Sequence, residues 1–119
     1  QRHVVHCIVR YEQRVHKVAF LPQSPNVFLT AGSDGTVRLF DLRRDSNRHV
    51  KRSDPSNIVI DLRAHLKRNS IDLNALSIHP LHGHLLTVGG GDEFLRVADL
   101  RRAGAQSGAG SMPLTATCV

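Results

Sequence analysis

Apolar and polar positions alternate in short bursts between residues 15 and 41, and turn residues separate the bursts. Val15, Val18 and Phe20 predict a strand over 15–20, stopped by Pro22 and the turn-rich 23–26. A second strand is predicted over 27–31. Gly32-Ser33-Asp34-Gly35 then supplies what a hairpin turn requires, an Asp to bond its own backbone and a Gly to accept positive φ. Over 36–41, Val37 and Leu39 alternate with Thr36 and Arg38, which predicts one buried and one solvated face. Residues 57–62 (NIVIDL) read as a fourth strand and complete an antiparallel unit. Ahead of this unit, 3–9 reads as a short strand and 10–14 as a polar loop.

The pattern then recurs. Residues 15–44 lie over 73–102 at a constant offset of 58, without a gap. Pro22 falls on Pro80, Gly32 on Gly90, Asp34 on Asp92 and Arg38 on Arg96, and both copies end in Asp-Leu-Arg-Arg. Strands are predicted over 73–78, 85–88 and 94–99, with a turn over 89–93. A repeat of this period means an array of supersecondary units, each needing neighbours to cover its apolar faces. Function in such an array belongs to surfaces before pockets. Residues 63–70 read as loop, 103–110 as a flexible Gly/Ala/Ser-rich stretch, and 112–119 as a further strand or a disordered tail.

Composition adds limits. At 119 residues, 40% hydrophobic and 22% charged, the chain is globular rather than disordered. No apolar run reaches the roughly 18–20 residues that span a bilayer, so no membrane partner is expected. The chain opens on Gln1 with no signal-peptide pattern, which reads as a fragment. Cys7 and Cys118 stand at opposite ends, which argues against a disulfide framework. A net charge of +6 favours acidic partners, nucleic acid among them.

Candidate chemistry thins out on inspection. Asp34 and Asp92 sit in tight turns, where Asp caps backbone donors rather than acting as a catalytic carboxylate. His79, His82 and His84 share a loop without a Cys or acidic ligand at metal spacing, so neither a metal nor a cofactor is expected. Gly89-Gly90-Gly91 lacks the Gly-Lys-Ser/Thr of a phosphate loop. No nucleophile-elbow spacing occurs, and no catalytic residue or enzyme activity is expected. The basic stretch 43–52 with Arg63, Lys67 and Arg68 has the charge of a phosphate-binding surface, but stacking aromatics are missing.

The stretch VHKVAFLPQSPNVFLTAGSDGTVRLFDLR at 15–43 resembles a WD40 repeat. The resemblance implies an all-β fold: a WD40 β-propeller fragment of about two four-stranded antiparallel blades. It divides the chain into the end strand of a preceding blade (1–10), a blade (11–62), a partial second blade (63–102) and a tail or next strand (103–119). It also implies a structural brace through Thr30, Asp34, Phe40 and Asp92, with Phe40 standing where a Trp is usual and Tyr11 at the His position. The endings of the two copies are similar to those of the DDB-and-cullin-4-associated factors, in the branch of WD-and-tetratricopeptide-repeat proteins and their nuclear relatives. That likeness implies a scaffold in a cullin-4 ubiquitin ligase, binding the ligase adaptor through Arg43 and Arg101 and a protein substrate elsewhere, in the nucleus or cytoplasm. Two alternatives stay open: Arg43 and Arg101 forming ion pairs within their blades, to Asp41 or Asp99, and a nucleic-acid- or histone-binding propeller that uses the basic loops.

Overall fold

β-Branched and aromatic residues fill the segments of strongest alternation, and those segments are the strands. The computed structural model describes residues 8–45, 47–51, 55–63, 72–91 and 94–101, and the backbone of 114–118. Its strands are β1 (Val9–Tyr11), β2 (Val15–Leu21), β3 (Ser24–Gly32), β4 (Thr36–Asp41), β5 (Arg48–Val50), β6 (Ile58–Asp61), β7 (Leu73–Ile78), β8 (Leu85–Gly90), β9 (Leu95–Asp99) and β10 (Leu114–Cys118). One antiparallel sheet runs β2-β3-β4-β6 and a second runs β7-β8-β9-β10. β1 and β5 form a separate parallel pair, Val9 opposite Arg48. The 10–14 segment therefore begins inside a strand, and the basic insertion after Arg43 carries one of its own. Residues 3–7, most of 63–70 and 103–110 lie outside the described residues.

Turn chemistry fixes each register. Leu21 faces Ser24 across the Pro22-Gln23 turn. At the β3–β4 turn, Asp34 Oδ1 accepts the Thr36 amide at 3.1 Å and the Thr36 hydroxyl at 2.8 Å, while Gly35 takes φ 76°. Gly32 and Gly90 share a further duty. A Cβ on Gly32 would run into the Arg14 carbonyl, and one on Gly90 into the Asp72 carbonyl. The incoming backbone crosses the second strand at the same place in both copies, which is why the repeat keeps glycine there.

The main core lies between the sheets, where β2 and β3 pack on β7. Leu29, Ala31, Val37 and Ile60 of the first sheet join Leu73, Leu76, Leu86 and Val88 of the second. Burying each large aliphatic side chain contributes roughly 1.5–3 kcal/mol, so the shared seam binds the two units together.

The solvated face predicted for β4 is not solvated. Thr36 and Arg38 are buried, Arg38 with 0% exposure. Tyr11 of β1 and the chain around Ser56 cover that face. Arg38 Nη1 donates to the Ser56 carbonyl at 2.8 Å, and Nη2 lies 3.5 Å from Asp34 Oδ2. A buried guanidinium needs such partners, because an uncompensated charge there would be costly. Arg96, its counterpart in the second copy, is also buried and lies over the Phe94 ring, 5.2 Å from its centroid. Alternation identified β4 correctly as a strand. It could not show that another layer covers the polar side.

Candidate functional site

An Asp that ends a strand can accept the amide two residues on, and an Arg at that position can fold back onto the same carboxylate. Asp41-Leu42-Arg43 does both. Arg43 donates its amide to Asp41 Oδ1 at 2.9 Å, its Nε to the same oxygen at 3.0 Å, and its Nη2 to Oδ2 at 2.9 Å. Asp99-Leu100-Arg101 repeats the set at 2.9, 3.2 and 3.0 Å. The intervening leucine is held by its amide: Leu42 donates to the Asn26 carbonyl and Leu100 to the His84 carbonyl, both at 2.7 Å. Arg43 and Arg101 thus make ion pairs within their own blades, Arg43 to Asp41 and Arg101 to Asp99.

The pairs polarise both partners. Bonds from the Arg43 side chain lower the Asp41 carboxyl to about 2. The Arg101 side chain likewise holds Asp99 below the usual carboxylate range. Both guanidiniums are pushed upward by their carboxylates. The carboxylates sit inward and the cations outward: side-chain exposure is 71% for Arg43 against 19% for Asp41, and 68% for Arg101 against 8% for Asp99. What a partner meets on this rim is guanidinium. Each pair uses Nε and Nη2, which leaves Nη1 for an outside acceptor.

The structure adds a third copy that the repeated tetrad does not mark. Asp61-Leu62-Arg63 has the same geometry, with Arg63 donating its amide, Nε and Nη2 to Asp61 at 3.0, 3.2 and 3.2 Å. Ala64 replaces the fourth residue of the tetrad, so the Asp-Leu-Arg-Arg repeat does not include it although the tripeptide is identical. Its location differs. Asp61 lies opposite Thr36 in the β4–β6 ladder, and Leu62 donates to the Gly35 carbonyl. That is the end of the blade opposite to Asp41, which pairs with Val27 near the β2–β3 turn. Arg63 is also more withdrawn, at 21% side-chain exposure. The Asp-Leu-Arg corner is therefore a local device for ending a strand. Rim and exposure distinguish Arg43 and Arg101, not the motif itself.

Beside the Asp99–Arg101 corner lies a groove of about 360 Å³ where the blades meet. Leu21, Leu39 and Leu100 line it with aliphatic surface, and Gln23, His84 and Arg101 stand among its polar lining. The β2–β3 and β7–β8 turns close one end, with Gln23 Nε2 donating to the Leu81 carbonyl at 3.0 Å. In the latter turn His79 Nδ1 accepts the amides of Leu81 and His82 at 3.1 and 3.0 Å. That nitrogen is occupied as a turn cap.

Of the expected brace residues, Thr30 and Phe40 each meet Tyr11 on the covered side of β3 and β4. The Tyr11 hydroxyl hydrogen-bonds Thr30 Oγ1, and burial pushes the Tyr11 phenol up to about 12. Phe40 takes the Tyr11 ring edge-on at 6.0 Å and lies against Phe28 at 5.5 Å. Asp34 turns to Thr36 and Arg38. Asp92 lies outside the described residues.

No family model matches the chain. Over 100 residues, 84% of its length, the chain is 29% identical to WD and tetratricopeptide repeats protein 1 of Homo sapiens, covering 14% of that protein. It is 33% identical over 101 residues to Protein ALTERED SEED GERMINATION 2 of Arabidopsis thaliana, which spans 76% of the chain and 13% of that protein. Over 36 residues it is 50% identical to an uncharacterised WD repeat-containing protein of Schizosaccharomyces pombe. The chain spans about one seventh of the length of the first of these relatives. WD-repeat relatives and two antiparallel four-stranded sheets together support the WD40 family, with the fold of a β-propeller fragment.

Proposed function

We propose that these blades belong to a non-enzymatic WD40 scaffold that serves as the substrate receptor of a cullin-4 RING ubiquitin ligase. Arg43 and Arg101 contact the ligase adaptor in this reading, and a protein substrate binds elsewhere on the propeller. The observation that carries it is the pair of exposed guanidiniums on one rim, each steadied by a carboxylate of its own blade. An arginine held in this way loses less side-chain freedom on docking and keeps Nη1 for a carboxylate or carbonyl. The receptor works by proximity, holding a target beside a ubiquitin-loaded enzyme. The test is co-purification of the ligase adaptor with the full-length protein carrying Arg43→Ala and Arg101→Ala together. Loss of the adaptor with the fold intact is expected, and undiminished recovery rejects the reading. A nuclear or cytoplasmic location goes with it, and imaging of the tagged full-length protein checks that point.

The cationic surface around Arg43 and Arg44, both largely exposed, supports a second reading, a nucleic-acid- or histone-binding propeller. Nucleic-acid binding would weaken steeply with salt, in proportion to the phosphates neutralised. A flat salt dependence removes that arm.

A further inference from the structure

The rim offers more than two cations. Leu21 and Leu39 from one blade and Leu100 from the other form an aliphatic floor, and each is only partly buried. At about 360 Å³, the groove sits toward the small end of ligand pockets, which run roughly 300–1,000 Å³. Arg101 and His84 line the same groove, and Leu81, at 75% exposure, lies in the adjoining turn. Apolar surface beside an outward-facing cation suits a side chain that brings both characters. Among the described residues no Phe, Tyr or Trp lines the groove, and the imidazole of His84 is the one ring in its lining. Phe28 packs against Phe20 and Phe40 elsewhere, so a nucleobase lacks the broad stacking platform that single-strand binders use.

We infer that the inter-blade groove beside Arg101 receives an aliphatic side chain from an acidic peptide segment, with a flanking carboxylate on Arg101. Charge complementarity selects the occupant, because the Asp99 and Asp41 carboxylates turn inward and leave their guanidiniums outward. The floor adds specificity that a cationic rim alone lacks: long acidic chains without an aliphatic anchor gain only the screened, exposed charge contacts. This inference deepens the adaptor-rim reading and rests on it for the identity of the surface.

Gly83 provides a plug. The nearest atoms to a Cβ there belong to the Gln23 and Pro22 side chains and not to backbone, so a larger residue enters the groove by displacing the Gln23 amide from the Leu81 carbonyl. The experiment titrates the full-length protein, with leucine methyls isotopically labelled, against the blocked peptide acetyl-Glu-Asp-Leu-Asp-Glu-amide. Shifts at Leu21, Leu39 and Leu100 are expected. Gly83→Leu should weaken binding about tenfold or more by excluding the anchor. Arg101→Gln should weaken it by about two- to fivefold, as raised salt should. Replacing the peptide's leucine by serine should remove the floor shifts, and this comparison stands even where Gly83→Leu fails to fold.

Equal binding of the leucine and serine peptides overturns the inference, as does a folded Gly83→Leu protein that binds like the parent. Floor shifts produced by oligothymidylate but not by the peptide also overturn it. Adaptor co-purification separates the two readings. If the double arginine variant loses the adaptor while Gly83→Leu keeps it, the groove proposal fails and the rim reading survives. If the arginine variant keeps the adaptor, the rim reading fails, and the peptide titration alone decides the groove.

Discussion

Asp41 shows how one residue can be fully structural and still prepare a surface. Its carboxylate accepts three bonds from Arg43 and stays ionised far into acid, with its pKa lowered to about 2. A depressed carboxylate stabilises the fold above the ordinary Asp range and loses that contribution as pH falls from about 4 toward 2. Carboxyl carbon NMR should find the Asp41 midpoint near 2, and Arg43→Ala should raise it toward the ordinary range, the amide bond from residue 43 remaining. A midpoint unchanged by the substitution would show that the pair does not form in solution. Tyr11 carries the opposite lesson. Its hydroxyl bonds to the buried Thr30 at a position where the WD40 resemblance leads one to expect His. Tyr11→Phe leaves Thr30 without that partner and should cost about 1–3 kcal/mol in urea denaturation. Adding Thr30→Val should recover much of the loss, since the orphaned hydroxyl is then gone.

At the scale of elements, period-two alternation and turn residues were enough to place β2, β4 and β7 almost to the residue, because local chemistry decides those strands. β1 and β5 were not legible. Each is three residues long, and their parallel pairing joins segments far apart in sequence, which no local pattern encodes. Tyr11 of β1 and the chain around Ser56 cover the Arg38 face, so the inside-outside assignment of β4 failed for a tertiary reason. Arg63 was legible in principle from its tripeptide, but which rim it occupies follows only from strand direction. Gly32 was legible as a turn residue, whereas its close approach to the Arg14 carbonyl was not. Gly32→Ala forces backbone to move and should destabilise by about 1–3 kcal/mol. Gly83→Ala, which meets a movable side-chain end, should cost less. Equal melting temperatures for the two variants would refute the distinction.

For the whole molecule, the decisive fact is that the core belongs to neither blade alone. Leu29 and Ala31 share a cluster with Leu73 and Leu76, and among the described residues polar links span the seam from His16 to Asp72 at 3.2 Å and from Gln23 to Leu81 at 3.0 Å. The exposed His16–Asp72 pair adds little, because water screens such contacts to at most about 1 kcal/mol. Apolar burial carries the junction. Blades joined in this way lose stability together, as nearest-neighbour coupling in repeat arrays requires. Leu76→Ala removes a buried side chain from the second blade at a cost of about 2–5 kcal/mol. Hydrogen exchange should then quicken at Leu39 in the first blade as well as at Leu86 in the second, by similar factors. The same coupling bears on the rim: Arg43 and Arg101 hold a fixed relation only while the seam is closed, so Leu76→Ala should also loosen a partner that needs both. Faster exchange confined to the second blade would mean that the blades open independently, and that the two arginines are not held as one surface.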